Sequence, residues 1–150
     1  MTYESENPGV TVEELRRRLE GTFPGELGIE PVEIAKQRSR GRLVVDDRHL
    51  HPGGYVHGGV WAALADTVAA WGTWRNLPPG HDFTTLELKL NVFAAAGPGD
   101  ELIATASHLH AGRSTHVLQV VIENGKRQVA HLILTQFVLP DAAGDERGTR

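Results

Sequence analysis

The residue least suited to its surroundings is Asp66, in the middle of the run GGVWAALADTVAAWGTWRN. That run is apolar nearly all round, which predicts one long buried helix from Gly59 to Asn76, closed by Pro78-Pro79-Gly80. Val60, Trp61, Leu64, Val68, Trp71 and Trp74 fall on a bulky stripe at helical spacing, which reads as core. Ala62, Ala63, Ala69, Ala70 and Thr73 make a small-residue stripe, and Asp66 sits within it. The positions three and four away from Asp66 are all alanine, so no cation on its own helix can pair with it. Aspartate is a poor helix-interior residue, and a buried carboxylate without a partner is costly. Two readings account for it. Either the carboxylate does chemistry as a nucleophile or general base, with the alanines leaving room for a ligand, or it is bonded across a subunit contact for structure alone.

Val56-His57-Gly58-Gly59 opens the same helix. A helix N-terminus presents unpaired amides and the positive end of the dipole, and glycine lets a ligand come close. Such an amide can hold a carbonyl oxygen as it becomes an oxyanion. The alternative is that the glycines only permit a tight turn. Gly58 and Asp66 are eight positions apart, about 12 Å along one helix. An oxyanion donor and a nucleophile each need to lie about 3 Å from the reacting atoms. The two therefore cannot share a site within one subunit. Antiparallel helices across a two-fold axis would bring Gly58 of one chain beside Asp66 of the other, giving a homodimer with two composite sites.

Other groups with chemical potential are weaker. Arg113, Ser114 and Thr115 place a cation and two hydroxyls at a turn, suited to phosphates or simply to a polar hairpin. His49, His51 and His57 could in principle surround a metal, but the helix has no His-Glu pair at ligand spacing and no cysteine helps, so no metal is expected. His108 and His110 alternate like ordinary surface histidines. Arg16, Arg17 and Arg18 read as a solvated face, offset by Glu13, Glu14 and Glu20. No glycine-rich phosphate loop occurs.

The elements that must position these groups follow from pattern. Thr11 and Glu14 read as a capping box starting a short helix, Thr11 to Glu20, after a loose polar start over 1–10. Two strand-like runs, IEPVEIAK and GRLVVD, flank a turn at 37–41, and 46–59 is loop. After the long helix come four strand-like runs, about 83–93, 101–110, 114–123 and 127–139, joined as hairpins through Gly97-Pro98-Gly99, Gly112-Arg113 and Asn124-Gly125. The tail over 140–150 is polar and reads as disordered. The fold class is α+β: an antiparallel sheet of five to six strands wrapped around one central helix, its outer face calling for a second copy. The domain spans 28–139, with an N-terminal extension over 1–27. With 150 residues, net charge -4, and no cysteine, the chain fits one cytoplasmic domain. Composition argues against a nucleic-acid partner, disulfides and thiol catalysis, and no run is long enough to span a membrane.

The block HPGGYVHGGVWAALADTVA resembles the hotdog-fold acyl-CoA thioesterases, in particular the PaaI-like group and the Arthrobacter-type 4-hydroxybenzoyl-CoA thioesterase. HLHAGRSTHVLQVVIENGKRQVA is similar to the family's last strands, and the resemblance covers about residues 28–139. It implies hydrolysis of an acyl-CoA, aromatic acyl groups included, with no cofactor beyond the coenzyme A of the substrate, by a homodimer assembled as a dimer of dimers. By that resemblance Asp66 is nucleophile or base, Gly58 supplies the oxyanion amide, and His57 and Gly59 belong to the binding turn. Thr85, with Thr84 as alternative, orients the water, and Arg113, Ser114 and Thr115 face the nucleotide end of coenzyme A. Two positions depart from the family. His51 stands where Gln or Asn is usual, and Ala94-Ala95 follow Phe93 where Arg-Pro is common. His51 with Asp66 also resembles the pairing in hotdog hydratases and dehydratases, so that reaction stays open, as does a non-catalytic acyl-CoA-binding module.

Overall fold

The computed structural model describes residues 6–139; the tail expected to be disordered, 140–150, lies outside the described residues. Two short helices come first, α1 (Val12–Leu19) and α2 (Phe23–Glu26). Strands β1 (Glu30–Ile34) and β2 (Ser39–Val44) follow, then the long helix α3 (Gly58–Arg75). Strands β3 (Asp82–Val92), β4 (Glu101–Ala111), β5 (Thr115–Asn124) and β6 (Arg127–Leu139) complete the chain. They form a six-stranded sheet in the order β1-β2-β4-β5-β6-β3, with every neighbouring pair antiparallel. The helix touches all six strands. This is the hotdog arrangement: a sheet curled around one helix. No helix among the described residues is long and apolar enough to cross a membrane.

Period-two alternation explains the wrap. Leu118, Val120 and Ile122 of β5 and Leu132 and Leu134 of β6 point inward and are buried against Leu64, Ala65 and Val68 of α3. Facing β4 supplies Ala104 and Ala106, small enough to let the helix lie close. Gly41 takes this furthest: a Cβ there would stand 2.6 Å from Val68 and 2.9 Å from Trp71. The Ser39 hydroxyl donates to the Val68 carbonyl at 2.7 Å, a second tie between β2 and α3. Asn76 ends the helix, its amide donating to the Gly72 carbonyl at 2.7 Å and to the Lys36 carbonyl at 2.9 Å.

Several expectations need correction. Ser39, Arg40 and Gly41 belong to β2 rather than to a turn, because Ser39 is buried under α3; the reversal lies at Ala35–Arg38, which exchange backbone bonds. β3 and β4 are not a hairpin. Gly99 and Asp100 bond to Val45, which draws β4 beside β2, while β3 pairs with β6 at the far edge. Residues 6–10 are not loose: the Asn7 amide donates to the Arg75 carbonyl, Glu6 pairs with Arg75, and Val10 is buried. Thr11 caps α1 as expected, but the Glu14 carboxylate turns to Arg17 and Arg18 instead of reaching back.

Candidate active site

Asp66 lies mid-helix on the face of α3 that turns toward β3 and the N-terminal helices, half-buried and flanked by its alanines. The Thr85 hydroxyl donates to Asp66 Oδ1 at 2.7 Å. Thr85 is on the inner face of the edge strand β3, and a bulge follows it directly, between Thr85 and Glu87. Such bulges re-aim side chains next to functional sites. Thr84 is exposed on the other face. Behind Thr85, Gln136 of β6 donates from Nε2 to Thr85 Oγ1 at 3.2 Å. Among the described residues no cation pairs with Asp66.

Asp66 forms part of the wall of a cavity of about 400 Å³. The rest of that wall is largely apolar: Leu15 and Leu19 of α1, Phe23 of α2, Trp71 and Trp74 of α3, and Phe83 of β3. The N-terminal extension is thus one side of the cavity. Trp74 and Phe83 meet edge to face, ring centroids 6.4 Å apart. Two expectations change here. Trp61 and Trp71 are core, 2% and 3% exposed, but Trp71 and Trp74 also line the cavity. Arg18 is not merely a solvated face; its guanidinium stands 4.5 Å from the Trp74 ring centroid, at the same cavity.

At the start of α3, His57 is the N-cap, and its Nδ1 accepts the Gly59 amide at 2.8 Å. The Val60 amide bonds to the His57 carbonyl. Gly58's amide is therefore the one left at this terminus with no acceptor among the described residues. Neither Gly58 nor Gly59 has a positive φ, so the turn into the helix does not require them. A Cβ at Gly58 would meet nothing within 4 Å. The glycine keeps a backbone donor open to the outside.

The remaining candidates scatter. His51 accepts the Gly53 amide on Nδ1 at 2.9 Å and, with Tyr55, Trp61 and Phe93, lines a separate cavity of about 290 Å³. Among the described residues, the cavity that His51 lines is not the one that Asp66 lines. His49 is wholly buried and spends both ring nitrogens on backbone, Nδ1 accepting the Asp46 amide and Nε2 meeting the Leu27 carbonyl at 2.7 Å. It staples the N-terminal segment to the loop. Arg113 and Ser114 are exposed in the β4–β5 turn. The Val138 amide bonds to the Ser114 carbonyl, and Val138 lies opposite Phe83, so this turn, with Thr115, sits across β6 from the cavity end of β3.

His108 is not a surface histidine. A bulge between His108 and His110 breaks their alternation, and His108 turns inward so that its Nε2 meets His116 Nδ1 at 2.9 Å. Burial first, and the neighbouring His116 second, push the His108 imidazole down to about 4; burial lowers His116 as well. Sequence reasoning also missed Gln136 and the cavity wall made by α1 and α2. A signal for Gln136 was present: it is in phase with Leu132 and Leu134, which places an amide on the core face.

Residues 53–131 match the family model of the thioesterase superfamily. A 1,4-dihydroxy-2-naphthoyl-CoA hydrolase of Listeria monocytogenes is 34% identical over 96 residues, 64% of this chain and 77% of that protein. A solved thioesterase of Haemophilus influenzae superposes with a TM-score of 0.84 over 95% of this chain and 97% of that one; at 24% identity this is a match of fold. The phenylacetic acid degradation protein PaaI of Thermus thermophilus superposes with a TM-score of 0.73 at 26% identity, over 78% of this chain and 98% of that one. The matched span opens in the loop before Gly58, carries Asp66 and Thr85, and ends within β6, and by it this chain belongs to the thioesterase superfamily, the thioester hydrolases of the hotdog fold.

Proposed function

We propose that this protein hydrolyses acyl-CoA thioesters whose acyl group is apolar and ring-sized. The observation that carries the reading is the apolar cavity with one carboxylate, Asp66, in its wall, held there by Thr85. Trp71, Trp74, Phe83 and Phe23 offer aromatic surface to a flat group. The naphthoyl substrate named for the Listeria relative and the phenylacetic acid named for PaaI are of this kind. Asp66 takes a proton from a water that attacks the thioester carbonyl, or attacks the carbonyl itself to give an acyl–Asp66 anhydride that water then hydrolyses. The C–S bond breaks, the sulfur leaves as the thiol of coenzyme A, and the acyl group ends as a carboxylic acid. No cofactor takes part.

The oxyanion donor is the Gly58 amide of a second copy, since eight residues of one helix hold Gly58 and Asp66 about 12 Å apart. The free edge of β3 supports such a partner. Among the described residues this strand pairs with β6 alone, and it leaves Leu86, Leu88 and Val92 exposed at 62%, 38% and 44%. Arg113, Ser114 and Thr115 lie at the cavity end of the sheet, where the phosphates of coenzyme A would reach them.

The test is release of free thiol from a panel of acetyl-, hexanoyl-, benzoyl-, phenylacetyl- and naphthoyl-CoA, with Asp66→Asn alongside. Aryl substrates should lead. The variant should fold and lose at least about a hundredfold in turnover. Enoyl-CoA consumed without thiol release would favour the hydratase reaction, and tight acyl-CoA binding without turnover would favour a binding module. An Asp66→Asn protein hydrolysing at the parent rate would remove Asp66 from the mechanism.

A further inference from the structure

Gln136 is fully buried in β6, flanked on its strand face by Leu134 and Val138, and its Oε1 has no hydrogen-bond partner among the described residues. A leucine or methionine would fill this place without leaving a polar atom unpaired, so packing does not explain the amide. Its other end does. Gln136 lies between its neighbours in register, opposite Thr85 on β3 and His116 on β5, and its Nε2 donates to Thr85 Oγ1 at 3.2 Å.

A threonine hydroxyl has one proton and a rotor that can send it in several directions. Here it goes to Asp66 Oδ1 at 2.7 Å. A donor on the lone-pair side of Thr85 is what secures that choice. An N–H at Oγ1 cannot accept the proton, so the proton remains available for the carboxylate. An acceptor in the same place would compete for it. Donors in series also polarise one another, which strengthens the bond to Asp66.

We propose that Gln136 is a positioning residue: acting through Thr85, it fixes one carboxylate oxygen of Asp66 and leaves the other free for the reaction. The proposal rests on the reading of Asp66 as the reacting carboxylate. It accounts for a buried, half-satisfied amide at the one strand position that faces Thr85. The charged groups that share Asp66's cavity, Arg18 of α1 and Asp82 of β3, touch neither Thr85 nor Gln136 by hydrogen bond among the described residues, so substitution at Gln136 leaves them in place.

The test uses Gln136→Leu, Gln136→Glu and Thr85→Val in the full chain. Gln136→Leu should melt no lower than the parent. It should lower kcat about tenfold with KM within about twofold. The acid limb of its kcat–pH profile should move up, because weakening the Thr85 hydrogen bond to the charged form makes a carboxylate easier to protonate. Gln136→Glu, which can accept the Thr85 proton, should be the slower of the two. In a Thr85→Val background, Gln136→Leu should cost nothing further. Parent-like kcat and pH profile in Gln136→Leu would overturn the proposal, as would an equal loss with and without Thr85. Carboxyl NMR titration of Asp66 in parent and Gln136→Leu reads the same coupling without turnover: an unmoved titration overturns positioning. If Asp66→Asn instead keeps the parent rate, the catalytic reading fails, while the titration still decides whether Gln136 sets the carboxylate.

Discussion

Complementation between two inactive chains tests the shared site most directly. Gly58 and Asp66 stand at the first and ninth positions of one helix, about 12 Å apart, against the roughly 3 Å each needs to the reacting atoms. Asp66→Ala removes the carboxylate and should cost at least about a hundredfold. Gly58→Leu places a side chain where a Cβ now meets nothing within 4 Å, so the fold has room for it, yet it covers the donor amide and should cost a similar factor. In a mixed dimer one site collects both defects and the other collects neither. Random reassociation of equal amounts makes about half the dimers mixed, so activity per site should return to roughly a quarter of the parent's. The assay is thiol release after the two variants are unfolded and refolded together, with separately refolded chains as controls and mass spectrometry of differently tagged chains to count mixed dimers. If mixed dimers form and the mixture stays as inactive as its parents, the site lies within one chain, and the role given to Gly58 is wrong.

Two further outcomes follow from the geometry. The folded protein keeps His108 neutral down to about pH 4, whereas the unfolded chain takes up its proton near 6.5. The unfolded state thus binds more protons between these values, and stability present above pH 6.5 is lost as pH falls toward 4, by roughly 3 kcal/mol from this group. Urea unfolding at pH 7 and 4.5 should show the loss, and His108→Asn should flatten it relative to the parent; equal slopes would mean the histidine pair is not a source of acid sensitivity. Ala70→Leu should fill part of the cavity beside Asp66 and lower kcat/KM for benzoyl- and phenylacetyl-CoA at least about tenfold, with acetyl-CoA spared. Equal losses on both classes would show that the acyl group binds elsewhere.

The sequence made some of this legible and hid the rest for physical reasons. The long helix and the strands β3 to β6 showed themselves because apolar period is a local signal, read within a dozen residues. Asp66 showed itself because it violates that local signal. The place of β3 did not. Gly97-Pro98-Gly99 looks like a hairpin turn, but whether the flanking strands pair is decided by Val45, about a third of the chain away, which takes Gly99 and Asp100 for itself. The cavity depends on how α1 and α2 pack on Trp74 and Phe83, a tertiary fact with no periodic trace. His108 was misread although it is in phase with the buried Leu102, Ala104 and Ala106; what the pattern could not show is the single-residue bulge after it, which parts His108 from His110 and leaves no mark in composition.

Three residues in this protein break a local rule without local compensation. Asp66 puts a carboxylate into a helix interior, Gly58 starts a helix with a glycine whose φ is not positive, and Gln136 leaves a buried amide oxygen unpaired among the described residues. Each could be replaced by a residue that suits its own element better. Asp66 and Gln136 are far apart in sequence, yet they converge on one another through Thr85 and a single line of hydrogen bonds. The third sits a fixed helical distance away, too far to help within its own chain. That spacing is accounted for if the same helix serves two sites, giving a carboxylate to one and an amide to the other, so that the fold's single long helix is also the element that joins two subunits into one enzyme.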